Sequence, residues 1–289
     1  ASLRGCQLVR LPAGKVSWGR CWAAACRSCW SHAQHGLTQI VYACIYIGMS
    51  ALIEQLSQQL RRFEHVRRPA GVHSTGISAL DRLLPEGGLH AGTLTEWLMD
   101  EASGGGTLAF KVAAHLRGES GVCVVIDDRG SMYPPAVGRL GVDLDSTIVV
   151  RPLRVPEALW AWEQSLRCPA VAVVIGGLNR LQSVEGRRLQ LAAGTGGGIG
   201  MLLRPACDRG QPSWADLRLL TQPAAAPPER KGAREGPAPQ SRRLLVELVH
   251  CRSRFRTGSV LLDIDDETGA VHQVSRVAAA ARAPRAAGA

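Results

Sequence analysis

The chain has 289 residues, 46% of them hydrophobic, and a formal charge of +10, enough for one sizeable α/β core or two small ones. Residues 1–48 hold five basic side chains and no acid, so the remainder is only mildly basic, which permits nucleic-acid contact without demanding it. No run of 18 apolar residues is present, so no membrane span is expected, and the scattered Cys123, Cys168, Cys207 and Cys251 read as reduced, cytoplasmic usage rather than a disulfide framework.

Residues 1–48 mix Trp18, Trp22 and Trp30 with five cysteines and show no sustained period. Cys21, Cys26 and Cys29, with His32 and His35 nearby, have zinc-ligand spacing. The preferred reading is translated sequence upstream of a true start, because no partner CxxC exists elsewhere. From Met49 the pattern becomes orderly. Ser50 can cap a helix over 49–70, with Leu52, Leu56, Leu60 and Phe63 on one face. That stripe serves either as a partner-binding arm or as packing on the chain's own domain.

The region 71–222 alternates strands and helices. Gly87-Gly88-Leu89 and Gly92 turn the chain into a strand through Glu96, and Gly104-Gly105-Gly106-Thr107 then opens a helix. Val122–Ile126, Ser146–Arg151 and Val171–Ile175 are continuous apolar runs, as strands buried on both faces should be. A helix over Pro156–Arg167 carries Trp160 and Trp162, and two residues apart they point different ways. Gly186–Ala193 reads as helix, and Gly194–Gly198 as a mobile loop after it. Gly200–Leu203 and Trp214–Leu220 read as strands. The composition of 223–241 is that of a flexible linker. Residues 242–277 alternate as strands, and 278–289 form a disordered tail. The fold class is α/β, a doubly wound and mostly parallel sheet with added C-terminal strands.

A working phosphate loop is G-x-x-x-x-G-K-[ST], because the Lys must reach the β/γ-phosphates and the hydroxyl must hold magnesium. Gly105 and Gly106 occupy those two positions, and Lys111 lies a turn further into the helix. Asp127 and Asp128 are adjacent at a strand end and make a poor metal pair. The histidines His73, His90, His115, His250 and His272 show no ligand spacing. No cofactor, metal or catalytic residue is expected.

Ser74-Thr75-Gly76, Leu80-Asp81, Gly87-Gly88-Leu89, Gly92 and Glu96 stand where a recombinase leads into its phosphate loop. Ile126-Asp127 and Leu140-Gly141-Val142-Asp143-Leu144-Asp145 recur at recombinase spacing. The chain therefore resembles RecA-type recombinases. It is more closely similar to the ImuA family through Arg187–Ala193, Pro212–Asp216 and the strands from Arg243 to Val274. The resemblance covers Met49 to Arg276.

It implies a RecA-like core with a degenerate phosphate loop. The catalytic Glu falls on Arg129, and the magnesium-orienting Asp on Ile175, so with the loop all three elements of the chemistry are replaced. A non-catalytic adaptor in SOS-induced mutagenic translesion synthesis follows. Its implied partners are an inactive Y-family polymerase homologue of the ImuB type, an error-prone DnaE-type polymerase, RecA and DNA. Recombinases carry a mobile DNA-contacting loop after the helix that follows the magnesium position. Arg180, Arg187, Arg188, Gly196, Gly197 and Arg204 are thus the expected DNA-facing residues, against an ordinary connector with solvated arginines. The rival functions are a SulA-type cell-division inhibitor and a residual ATPase or recombinase.

Overall fold

The computed structural model describes residues 7–10, 56, 58–59, 71–100, 103–118, 121–178, 181–224, 241–252, 257–266 and 268–274. Strands β1 (Gln7–Arg10), β2 (Val72–His73), β3 (Leu89–His90), β4 (Leu94–Met99), β5 (Val122–Ile126), β6 (Thr147–Arg151) and β7 (Val171–Gly177) are followed by β8 (Ile199–Pro205), β9 (Leu217–Pro223), β10 (Ser241–Cys251), β11 (Gly258–Asp265) and β12 (Val271–Gln273). The helices are α1 (Ser78–Leu83), α2 (Gly105–Arg117), α3 (Pro134–Arg139), α4 (Val155–Arg167) and α5 (Ser183–Gly196).

Ten of these strands form one sheet in the order β1-β6-β5-β7-β8-β4-β9-β10-β11-β12, while β2 and β3 pair separately. Pairing is parallel from β1 to β9 and antiparallel from β9 to β12. The β-branched runs of β5, β6 and β7 suit central strands, because their side chains fill both faces at once. Alternation sorts those side chains. Val125, Val173, Ile175, Met201 and Trp97 pack toward α1 and α2. Val124, Ile126, Val174, Leu202 and Leu94 pack with α4 and α5.

Leu244, Val246 and Leu248 of β10 join the same cluster as Trp97 and Leu108. The C-terminal strands therefore extend the core sheet and are not a separate unit. Trp162 is fully buried and Trp160 half-buried, as the two-residue offset requires.

Two sequence expectations change and one open choice narrows. Gln7–Arg10 pairs with β6 as an edge strand, although the sequence of 1–48 shows no sustained period; the remainder of that segment lies outside the described residues. Helix α5 runs from Ser183 through Gly196 and absorbs most of the expected mobile loop. Of the two readings of the stripe bearing Leu56, packing on the chain's own domain holds at this residue, which is 0% exposed and belongs to the cluster of Trp162 and Leu94. Leu52, Leu60 and Phe63 lie outside the described residues, as do most of the expected linker and all of the expected tail.

A fully buried leucine resists both truncation and charge. Leu56→Ala should cost about 2–5 kcal/mol, and Leu56→Asp should cost more, since it buries an unpaired carboxylate. Urea denaturation followed by circular dichroism measures both. An exposed docking residue would give changes within about 0.5 kcal/mol.

Candidate functional site: a closed phosphate loop

A cleft of about 750 Å³ opens at the carboxyl ends of β4, β5, β7 and β8. This is the edge at which open α/β sheets place ligands. Its walls include Met99, Gly104, Gly106 and Thr107 on one side, and Asp128, Met132, Tyr133 and Gly177 on the other.

The loop enters α2 through Gly104, whose φ of +85° places it in the left-handed region that glycine adopts without strain. The buried Ser103 hydroxyl accepts the Gly105 N–H at 3.3 Å. A Cβ on Gly105 would overlap Thr221 Oγ1 and stand 2.9 Å from Met99 Cβ. Thr221 is itself fully buried on β9 and donates its hydroxyl to the Leu98 carbonyl at 3.2 Å. The position that would carry the phosphate-binding Lys is thus filled from below. Gly106 differs: a Cβ there meets nothing within 4 Å. Its missing hydroxyl reflects residue choice alone.

The two acidic positions are also altered in distinct ways. Arg129 is exposed on the turn after β5. Ile175 is 0% exposed, in register with Val125 and Met201, and forms part of the apolar core. The neighbouring acids have structural work instead. Asp127 accepts the Ser131 N–H at 2.8 Å and pairs with Arg151 Nε at 2.8 Å, closing the turn that follows β5. Asp128 lies over the end of β7, where a Cβ on Gly177 would stand 3.0 Å from its Oδ1. Burial pushes the Asp128 carboxyl above the usual range, and Arg129 beside it pulls the other way. Among the described residues, no cluster of three or more His, Cys, Asp or Glu could hold a metal.

Sequence reasoning missed the most heavily bonded part of the region. Glu96 on β4 is 1% exposed and lies between Arg204 Nη1 at 2.9 Å and Arg218 Nε at 2.8 Å. Ser213 donates its hydroxyl to the same carboxylate at 2.7 Å. Arg218 also donates to the carbonyls of Asp208, Arg209 and Gln211, and Arg204 pairs with Asp208 at 3.0 Å. The cluster ties β8, β4 and β9 to the connection over residues 206–216. Arg204, expected to face DNA, is turned inward and neutralised. The available signal was a lone charged residue inside each of three apolar strands.

The other expected DNA-facing residues separate. Gly196 is buried, and a Cβ there would overlap the Leu166 carbonyl oxygen, so it is a packing position. Gly197 ends α5 with φ +79°, and its carbonyl accepts the Gly92 N–H at 3.0 Å. Both lie at the amino edge of the sheet, across from the cleft, because a helix feeding a parallel strand must return to that edge. Arg187 and Arg188 are exposed. The Arg187 guanidinium lies 4.7 Å from the Trp214 ring centroid, with Arg252 over the same ring at 5.8 Å. Trp214 donates its indole N–H to Ser183 at 2.8 Å. Arg188 pairs with Glu163. Arg180 lies outside the described residues.

The contrast between buried and half-exposed pairs is measurable. Glu96→Gln leaves the buried Arg218 guanidinium without a counter-charge and Arg204 with Asp208 alone, and should cost about 3–5 kcal/mol. Asp263→Asn breaks the Arg243 pair, which keeps 28% of the Asp263 side chain exposed, and should cost about 1 kcal/mol or less. Paired urea melts at fixed ionic strength test the ranking.

Comparison with known proteins places this architecture. The RecA N-terminal domain model matches residues 58–182, which carry the altered loop and both replaced acidic positions. The chain is 37% identical to Protein RecA of Chlorobium chlorochromatii (strain CaD3) over 102 residues, covering 35% of this chain and 29% of that protein. It is 34% identical to Protein RecA of Mycobacterium ulcerans (strain Agy99) over 116 residues, 40% of this chain and 34% of that one. Against Protein RecA of Pseudomonas putida it is 31% identical over 134 residues, 44% and 38% of the two chains. The chain thus spans about a third of the length of the curated relatives it matches. The protein is RecA-like in sequence over that region and has a RecA-like α/β fold with additional C-terminal strands.

Proposed function

We propose that this protein is a non-catalytic, RecA-fold adaptor of the ImuA type, acting in SOS-induced mutagenic translesion synthesis. The observation that carries the reading is the packing at Gly105. Phosphoryl transfer depends on positioning and charge neutralisation by the loop Lys, the metal-holding hydroxyl and the acids around them. Here the Lys position is filled by Thr221 and Met99, and the magnesium-orienting position by a core isoleucine. A single substitution could be compensated. A side chain at position 105 needs Thr221 and Met99 to move before it can reach toward the cleft.

An adaptor needs a stable core and surfaces that meet other molecules. The proposed partners are an ImuB-like inactive polymerase homologue, an error-prone DnaE-type polymerase, RecA and DNA. Arg187 and Arg188 remain available as DNA-facing groups beside Trp214, while Arg204, Gly196 and Gly197 do not. No helix among the described residues is long and apolar enough to cross a membrane.

Equilibrium binding of labelled ATP, with and without magnesium, tests the non-catalytic half of this proposal. No saturable binding below about 1 mM is expected, the weak limit at which an interaction is worth only about 4 kcal/mol. Gly105→Lys should not create binding and should lower the melting temperature, because overpacking costs about 1–3 kcal/mol. Saturable, magnesium-dependent micromolar binding to the unaltered protein would overturn the reading. Capture of the purified ImuB-like partner in the absence of nucleotide tests the adaptor half.

A further inference from the structure

Helix α5 is apolar on two sides. Leu189, Ala192 and Ala193 are buried against the sheet. On the far side Val184 is 71% exposed and Leu191 52% exposed. Seven residues separate them, about 10.5 Å along one side of the helix. Arg187 and Arg188 stand between them on the same side, both exposed. Single exposed aliphatics need no explanation. Two at helical spacing, bracketing a pair of cations, make a patterned ridge.

The acids near this ridge are recessed. Glu185 turns back to accept the Gln182 N–H at 2.7 Å. Glu163 keeps 8% of its side chain exposed and lies under Arg188 and Arg167. The ridge therefore offers two aliphatic anchors and positive charge. Its guanidiniums are already oriented, Arg187 by the Trp214 ring and Arg188 by Glu163, so less rotamer freedom is lost when they meet a carboxylate.

We propose that the outer ridge of α5, formed by Val184, Arg187, Arg188 and Leu191, docks an acidic amphipathic helix of a partner protein. The proposal rests on the adaptor reading and deepens it by naming a surface and the chemistry that fits it. Aliphatic anchors spaced i and i+7 match a partner helix laying its apolar stripe along the ridge. Carboxylates flanking that stripe would meet the two arginines, which sets orientation and partner choice. Single-stranded nucleic acid fits less well. Base stacking needs a free aromatic face; the Trp214 ring already carries Arg187 and Arg252, and Val184 and Leu191 provide none.

Fluorescence anisotropy tests this on the full chain with three probes: a labelled 18-residue helix carrying a leucine stripe flanked by glutamates, the same peptide with every Glu replaced by Lys, and a 20-nucleotide oligo(dT). The acidic peptide should bind and the Lys peptide should bind at least tenfold more weakly. Val184→Asp with Leu191→Asp should weaken the acidic peptide at least tenfold, with thermal melting unchanged because both side chains are exposed. Arg187→Glu with Arg188→Glu should reverse the preference in favour of the Lys peptide. Equal affinity for the two peptides, or indifference to the Asp pair, overturns the proposal. So does a result in which the arginine changes abolish oligo(dT) binding and leave the acidic peptide unmoved, which assigns the ridge to nucleic acid. The adaptor reading is scored separately. If the unaltered chain captures the ImuB-like partner and the Asp pair captures it equally well, the ridge falls and the adaptor stands. If the unaltered chain captures nothing, the adaptor reading falls.

Discussion

The centre of this protein depends on one buried carboxylate. Glu96 has almost no contact with water, yet its two oxygens meet Arg204, Arg218 and Ser213. Each of these charges would be costly alone in the interior, and together they satisfy one another. An apolar cluster of the same volume would be at least as stable. What the ionic cluster adds is register. It fixes β4 between β8 and β9, and it holds three loop carbonyls, those of Asp208, Arg209 and Gln211, through Arg218. The 206–216 connection is thereby pinned to the sheet, and Trp214 is brought to α5, where Arg187 and Arg252 stack on it.

The same register decides what the phosphate loop can hold. Because β9 pairs with β4 through Met99↔Thr221, the Thr221 side chain comes up under the first turn of α2. Gly105 is then the one residue type that fits. The three replaced positions are consequently unequal. Gly106 sits in open space and could accept a hydroxyl with no rearrangement. Arg129 is on an exposed turn and is equally permissive. Gly105 and Ile175 are set by the packing of the core. Changes at the two permissive positions leave the packed pair untouched, so a Lys at 105 or an Asp at 175 needs changes in the strands packed around them as well.

Much of the fold was legible in the sequence. The short, β-branched, uninterrupted runs at β5, β6 and β7 suit strands covered on both faces, and alternation with helical segments points to parallel pairing. The altered loop was legible too, because a phosphate clamp has a fixed spacing and the wrong residues stand in it. Other features were not. The glycines at 194 and 196 read as a loop breaker by propensity, since glycine in a helix costs about 1 kcal/mol relative to alanine. At Gly196 tertiary packing overrides this, because the helix end approaches the Leu166 carbonyl too closely for any side chain. Arg204 read as surface because charge usually is. Only the cross-strand neighbours Glu96 and Arg218, 108 and 14 residues away in sequence, reveal it as core.

Leu56 and Arg187 show why helix faces are harder to assign than strands. A strand buried on both sides leaves no choice of face, whereas an apolar stripe on a helix states only that something covers it. For Leu56 the cover is the chain's own core beside Trp162 and Leu94. For α5 the core takes the face bearing Leu189, Ala192 and Ala193, and the two alanines are small enough to bring the helix close to the sheet. Two aliphatics remain outside that requirement. Folding gains less from Val184 and Leu191 than from a core aliphatic, since both keep more than half of their contact with water. Their placement around Arg187 and Arg188 is therefore a property of the surface and not of the core.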